Sequence, residues 1–319
     1  MDARDKHSLV TIAGPTGSGK SALAQHLARR FAGEIVDCDS LQLYRGFDIG
    51  AAKTPVAERG QVPHQLFDVL TQQESYSAGE YAHAARAVIA EIAARGRLPI
   101  VVGGTGFYLR ALLDGLPALP RRDAPLRARL LARETARPGS LHRVLARLDP
   151  PAAARIHPSD LQKTLRALEV RLLTRRVMPP PAAARPLEGY AILKLGLDPD
   201  RAALHCRLEA RTRAIFENGL IEEVRGLLTH GATGDEKPFE SLGYKQALQH
   251  LRGSLTREEA IASTLVETRQ YAKRQWTWFR RDPEIRWLRG FGEEPGIVGE
   301  AMQAVQAAGY GVQSGVHYK

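Results

Sequence analysis

The sequence has 319 residues, of which 44% are hydrophobic and 25% charged, a composition that builds its own core; it holds no apolar run near the ~18 residues a membrane span needs. Its two cysteines, Cys38 and Cys206, exclude a disulfide framework, and no CxxC or paired-histidine spacing offers a structural metal site. The formal net charge of +10 favours polyanionic partners and is local: from Arg121 to Arg185 there are 15 Lys or Arg against 5 Asp or Glu, so the rest of the chain is neutral. Such a run suits either a polyanion-binding surface or a solvated helical face.

The start of the chain, charged and then briefly apolar before a glycine-rich loop, lacks a signal-peptide core, and a cytoplasmic protein is expected. Residues 8–13 read as a buried strand, 21–30 as a helix with Leu23, Leu27 and Phe31 on one side, and 34–38 as a second strand. A helix over about 78–95, stopped by Gly96 and Pro99, precedes a short strand at 100–102. Strand and helix alternate, which predicts a doubly wound α/β core on a parallel sheet. Residues 117–186 carry no strand signal and are rich in Ala, Leu and Arg between proline clusters at 116–120 and 178–181, which predicts an inserted helical lobe. A return strand is expected at 190–197 and a helix at 200–228, interrupted near Gly219. Thr256 followed by Glu259 forms a capping box that opens a helix running to about Arg281, before a last strand at 284–288. The core is thus expected to comprise 1–116 with 187–300, and 301–319, where periodicity is weak, a weakly ordered tail.

Gly14, Pro15, Thr16, Gly17, Ser18, Gly19, Lys20 and Ser21 spell GxxxxGKS between the first strand and the first helix. In that setting backbone N–H groups wrap a di- or triphosphate, the helix N-terminus adds partial positive charge, Lys20 neutralises phosphate oxygens and the Ser21 hydroxyl can ligate Mg²⁺. The loop specifies phosphate without specifying ATP. Its usual companion is an apolar strand ending in an Asp of the magnesium shell; here the strand at 100–102 ends in Gly103, Gly104, Thr105 and Gly106. The strand-end acids are Asp37 and Asp39. Because ligands sit at the carboxyl ends of parallel strands, the Asp39 and Thr105 loops are expected to face the phosphate loop. Asp39 there suits a general base, a metal-shell ligand or the cap of a turn, while Cys38 is expected to pack in the sheet. On the last long helix, Arg269, Lys273, Trp276 and Arg280 form a stripe that suits phosphate contacts and base stacking, beside an apolar stripe of Ile261, Leu265, Ala272 and Phe279. Trp276, Trp278 and Phe279 suit the core equally.

GPTGSGKS at 14–21, DSLQLY at 39–44, DIGAAK at 48–53, GGTGFYLRALL at 103–113 and KRQWTWFRR at 273–281 resemble, in order and spacing, the tRNA dimethylallyltransferase (isopentenyltransferase) family. The similarity covers about residues 9–288. It implies a P-loop NTPase-like parallel sheet core with an inserted all-helical lobe. It also implies an enzyme that moves a dimethylallyl group from dimethylallyl diphosphate to the exocyclic N6 amine of the adenine just 3′ of the anticodon, releasing diphosphate. On that reading residues 14–21 and Arg211 hold the diphosphate, Lys20 and Ser21 with Mg²⁺ stabilise its departure, and Asp39 takes the proton of the amine. Thr105 would contact the flipped-out nucleotide. The resemblance implies tRNA contacts at Asp39, Ser40, Leu41 and Gln42, and at Gln162, Lys163, Thr164, Leu165 and Arg166 in the basic lobe, which would clamp the anticodon stem. It implies further contacts at Glu240, Ser241, Leu242, Gly243, Tyr244 and Lys245, and at Lys273, Arg274, Gln275, Trp276, Thr277, Trp278, Phe279 and Arg280.

Some positions depart from the family pattern. Ser21 stands where the family often has Thr and Gly17 where it often has Ala, which preserves the phosphate-loop chemistry; Lys163 replaces a frequent Arg and meets a phosphate without a bidentate fork. The zinc finger of eukaryotic members is not found in this sequence, so a bacterial-type enzyme is expected. The expected partners are the tRNA anticodon stem-loop and dimethylallyl diphosphate, with Mg²⁺ as cofactor, no membrane and a monomeric state. His64 and residues 76–80 also match family segments, without an assigned chemistry. By its sequence alone Arg211 reads as an exposed helix arginine. Three other readings use the same loop: a small-molecule or nucleotide kinase with Asp39 activating a hydroxyl, a prenyltransferase of free adenine nucleotides, which needs no basic lobe, and a nucleic-acid-binding protein that only recognises a nucleotide.

Overall fold

The computed structural model describes residues 6–60, 62–180 and 184–310. Six strands, β1 (His7–Ala13), β2 (Gly33–Asp37), β3 (His64–Gln65), β4 (Leu98–Val102), β5 (Tyr190–Leu197) and β6 (Arg286–Leu288), form one sheet in the order β3-β2-β4-β1-β5-β6. Every pairing is parallel, with Val10 opposite Ile100 on one side and Leu193 on the other, and Asp37 opposite Val102. The wholly buried LPIVV of β4 is the sequence a central parallel strand requires, because both its faces are covered. The fold is the α/β, P-loop-like class expected from the alternation of strand and helix. The two-residue β3 was not legible in the sequence, since so short a strand has no periodicity to read.

In the sheet-bearing unit, α1 (Lys20–Arg30) lays Leu23, Ala24, Leu27 and Ala28 on Val10, Ile12, Ile35 and Ile100. The chain continues through α2 (Val56–Arg59), α3 (Ala78–Ala94) and α4 (Gly106–Leu113). After β5 come α9 (Arg201–Glu217), α10 (Leu220–Thr229), a 3-10 turn (Lys237–Glu240), α11 (Tyr244–Leu251), α12 (Arg257–Phe279) and α13 (Pro295–Ala307). The break near Gly219 separates α9 from α10, and Gly219 there takes φ +101°. The capping box opens α12: Glu259 N donates to Thr256 Oγ1 at 3.2 Å and Thr256 N to Glu259 Oε2 at 2.8 Å.

The expectation of a weakly ordered tail from 301 is corrected over 301–310. Ile297, Ala301, Ala304 and Val305 recur at helical spacing and join the core under the sheet, and the buried Tyr310 donates its hydroxyl to Ala191 O at 2.8 Å. Small residues in α13 hid the amphipathic signal; 311–319 lie outside the described residues.

The chain divides into two compact units, one formed by the chain up to Leu113 together with that from Leu187 onward, the other by Asp114–Pro186. The second unit holds α5 (Ala124–Ala136), α6 (Ser140–Leu148), α7 (Pro150–Arg155) and α8 (Leu161–Thr174) around Leu130, Leu141, Leu145, Leu165 and Leu168. Of its six acids, all but the exposed Asp114 at its start are committed internally. Asp123, Asp149 and Asp160 accept the N–H groups of Leu126, Ala152 and Lys163 and so cap α5, α7 and α8. Glu134 accepts Leu141 N at the start of α6, and the buried Glu169 pairs with Arg127 at 3.1 Å and Arg166 at 3.4 Å.

Candidate active site

The carboxyl ends of β1, β2 and β4 carry the three loops expected to converge. In the first, Gly19 caps α1 at φ +86°, and a Cβ there would stand 2.2 Å from Glu293 Oε2 and 2.7 Å from Gly292 N. Only glycine fits, in conformation and in space. The loop is braced from outside: Gly292 N donates to Ser18 O at 2.9 Å, and Thr16 N donates to Gln275 Oε1 at 2.7 Å. Lys20 Nζ turns back to Pro15 O at 2.8 Å. Burial lowers the Lys20 pKa to about 8; the charge of Asp39 opposes that shift and the charge of Arg211 adds to it.

Beyond β2, Asp39 Oδ1 accepts Leu41 N at 2.9 Å, which fixes its carboxylate on a turn. Ser40 N donates to Thr105 Oγ1 at 3.0 Å, and Thr105 N to Cys38 O at 3.2 Å, so the Asp39 and Thr105 loops are tied to each other. A Cβ on Gly103 would stand 2.1 Å from Cys38 O, so glycine permits that approach. Cys38 is buried in the sheet, and burial pushes its thiol up. Burial also holds the Asp37 carboxyl well above the usual carboxylate range, with the Asp39 charge adding to the shift. Asp37 Oδ2 is buried without a hydrogen-bond partner.

Gln275, buried on α12, joins the first loop to the third: besides accepting Thr16 N it donates from Nε2 to Gly104 O at 2.9 Å. A cavity of about 620 Å³ opens over these loops, lined among others by Lys20, Ser21, Asp37, Asp39, Gly104 and Arg211. Its walls come from α9 (Arg207, Leu208, Arg211, Thr212, Ile215), from Glu240, Ser241 and Leu242, and from one face of α12. The arrangement places cationic phosphate ligands, a held carboxylate and a hydroxyl around one space, the equipment for displacing a phosphorylated leaving group beside a base.

The family model described as IPP transferase matches residues 42–282. The chain belongs to the IPP transferase family. The tRNA dimethylallyltransferase of Solibacter usitatus (strain Ellin6076) is 59% identical to it over 299 residues, covering 93% of this chain and 97% of the relative. The crystal structure of the full-length tRNA isopentenylpyrophosphate transferase from Bacillus halodurans is similar at 35% identity and a TM-score of 0.70, with 95% of this chain and 98% of that one covered. A eukaryotic dimethylallyltransferase acting on tRNA is similar at a TM-score of 0.79 and 26% identity, with 97% of this chain and 81% of that one covered.

In this IPP transferase family member the cavity gathers Thr16, Gly17, Gly19, Lys20, Ser21, Asp39, Ser40, Leu41, Gln42, Arg211, Glu240, Ser241, Leu242 and Arg274 of the expected residues. Arg211 is half-buried, which corrects its reading as an exposed helix arginine; burial lowers its pKa. Other expected contacts are buried here: Thr164, Leu165, Tyr244, Gln275 and Phe279 are at most 5% exposed. The Trp276 stripe also faces elsewhere. Trp276 Nε1 donates to Asp198 Oδ1 at 2.8 Å, Arg280 lies 3.9 Å over its ring and pairs with Asp198, and Arg269 pairs with Glu209. The cavity face of α12 is Thr264, Glu267, Thr268, Tyr271 and Arg274 instead. Trp278 packs against Gly106, where a Cβ would stand 2.2 Å from its ring.

Sequence reasoning also missed the pins of the 48–53 loop, which lines the cavity through Gly50, Ala51 and Ala52. The buried Lys53 Nζ donates to Tyr44 O at 2.6 Å, Asp48 at 2.8 Å and Asp68 at 2.5 Å. The Tyr244 hydroxyl accepts Gly50 N at 3.1 Å and donates to Glu223 Oε1 at 2.5 Å, while Glu223 Oε2 accepts Ile49 N at 2.8 Å. These contacts span up to 194 residues, beyond any local pattern. The signal for Arg207 was present: it lies four residues before Arg211, on the same helix face.

Proposed function

We propose that this enzyme transfers a dimethylallyl group from dimethylallyl diphosphate to the N6 amine of the adenine 3′-adjacent to the anticodon of tRNA, releasing diphosphate. The observation that carries the reading is the convergence of the phosphate loop and the Asp39 carboxylate on one cavity roomy enough for a diphosphate and a base together. The family membership and the names of the relatives support it over a kinase, and so do Gly103, Gly104, Thr105 and Gly106 at the end of β4, where a kinase of this architecture would carry an acid. We place its work in the cytoplasm, as a monomer.

The diphosphate lies on the N–H groups of residues 17–21 with Lys20 and Arg211 against its oxygens; as the allylic C–O bond breaks, negative charge grows on the leaving group, and those fixed cations stabilise it. The N6 nitrogen attacks the same carbon, its new bond forming as the old one breaks. Asp39 receives the N6 proton on Oδ2, since Leu41 N occupies Oδ1. Thr105 orients the Asp39 loop through Ser40 N, and the adenine reaches the cavity splayed out of its loop. The donor set fits Mg²⁺: Ser21 and Asp37 both line the cavity with hard oxygen donors, Asp37 Oδ2 has no hydrogen-bond partner, and two protein ligands leave room for phosphate oxygens and waters. Ser21 and Asp37 would hold the ion, which when bound neutralises charge on the diphosphate. The lobe supports tRNA binding through its electrostatics, because every one of its acids is engaged in capping or buried pairing while Gln162 and Lys163 are exposed.

The test is nucleoside analysis of unmodified tRNA after incubation with the protein, Mg²⁺ and dimethylallyl diphosphate. A dimethylallyl adduct on the adenosine beside the anticodon, dependent on both substrates, is the expected result; an unaltered adenosine, or ATP-dependent phosphorylation of a small acceptor in a parallel reaction, would overturn the reading.

A further inference from the structure

Arg207 and Arg211 stand four residues apart on α9 and both line the cavity. The Asp39 charge favours the Arg211 cation and the Arg207 charge disfavours it, and Arg211 has neither an ion pair nor a hydrogen bond among the described residues. Two arginines one helical turn apart on one cavity wall suit a multivalent anion that both can reach. In the ligand-free protein Arg207 has a substitute: it pairs with Glu293 Oε1, and its guanidinium lies 4.7 Å over the Phe291 ring. The other oxygen of the same carboxylate, Oε2, rests against the phosphate loop, 2.2 Å from where a Gly19 Cβ would be. The loop bearing Glu293 is fastened to the phosphate loop through Gly292 N and Ser18 O at 2.9 Å. A carboxylate is thus pressed on the rim of an anion site and paired to a cation of that site.

We infer that Arg207 is a second arginine for the diphosphate and that Glu293 is its displaceable counter-ion, released when diphosphate arrives and recapturing Arg207 as diphosphate leaves. The inference rests on the phosphate loop holding diphosphate. The exchange is favourable because both side chains of the ion pair are about two-fifths exposed, at 39% and 41%, so solvent weakens their attraction, whereas a diphosphate offers Arg207 a bidentate anion of higher charge. Glu293 then acts through Arg207, as a positioning residue that moderates affinity and eases product release.

Calorimetric titration with inorganic pyrophosphate and Mg²⁺ at fixed ionic strength tests this. Glu293→Gln is expected to bind pyrophosphate about three- to fivefold more tightly than wild type. Arg207→Ala is expected to bind at least about tenfold more weakly, and Arg207→Lys, which keeps the ion pair but loses the fork, to fall between. The double variant Arg207→Ala with Glu293→Gln should match Arg207→Ala, because Glu293 has no effect without its partner. Equal weakening by Glu293→Gln and Arg207→Ala would overturn the inference and make the pair a brace for the 291–294 loop. Unchanged pyrophosphate affinity with weakened tRNA binding in Arg207→Ala would also overturn it, assigning Arg207 to an RNA phosphate. Lys20→Ala separates the two readings: loss of pyrophosphate binding there upholds the phosphate loop whatever Arg207 does, while wild type failing to bind pyrophosphate overturns both.

Discussion

Lys20 sets the pH dependence of the cavity. Burial lowers its pKa to about 8, so in the free enzyme the ammonium that a diphosphate needs is present below that pH and is lost as pH rises through it. The kcat/KM for dimethylallyl diphosphate is therefore expected to fall along a limb near pH 8, and the same limb to vanish in Lys20→Arg; a flat profile to pH 9 in wild type would contradict this. Gln275 makes a different demand. Its amide accepts from the phosphate loop and donates to Gly104 O, a pairing a carboxylate cannot reproduce. Gln275→Glu is expected to destabilise the protein by about 1–3 kcal/mol, read as a lower Tm, and to raise KM for the diphosphate, because a carboxylate would then face a carbonyl. The phosphate ligands were legible in the sequence, since GxxxxGKS between strand and helix is a local pattern. Gln275 was legible only as part of a motif, and its job was not, because its partners lie 259 and 171 residues away.

At the scale of elements, the site depends on one loop being held in place. Residues 48–53 form a cavity wall whose backbone N–H groups are taken by Tyr244 and Glu223 from α11 and α10. Tyr244→Phe leaves the Gly50 and Ala51 N–H groups and Glu223 short of a partner, and is expected to cost about 1–3 kcal/mol in Tm-derived stability while raising KM for both substrates. A variant of unchanged Tm and KM would show that the loop holds without it. The faces of α12 illustrate how far periodicity reaches. Helical spacing separated a basic aromatic stripe from an apolar one, but could not say which element each meets. Asp198, at the end of β5, claims Trp276 and Arg280, and this turns Thr268, Tyr271 and Arg274 to the cavity. Short elements such as β3 and α11 escaped because their hydrophobic pattern spans too few residues to carry a period.

The whole molecule separates charge from chemistry. The sheet-bearing unit carries the cavity, and the Asp114–Pro186 unit carries the excess charge, left uncompensated because all its acids but Asp114 cap helices or pair in its interior. Charge counting made that unit visible in the sequence; the use of its acids became visible only with the helix starts in place. Lys163, whose side chain is 71% exposed, is expected to contact RNA phosphate. Lys163→Ala should weaken tRNA binding, lower the salt slope of log Kd by about one and leave KM for dimethylallyl diphosphate unchanged; an unaltered slope in filter binding would remove it from the interface. The central claim is that one cavity holds a diphosphate leaving group on the phosphate loop while Asp39 deprotonates the adenine amine. It is tested most directly by transfer of label from dimethylallyl diphosphate to unmodified tRNA with Mg²⁺, in single turnover, by wild type and Asp39→Asn. The account predicts rapid labelling of adenine by wild type and a loss of at least about a hundredfold in rate for Asp39→Asn at nearly unchanged affinity for both substrates. Labelling at the wild-type rate by Asp39→Asn would contradict it.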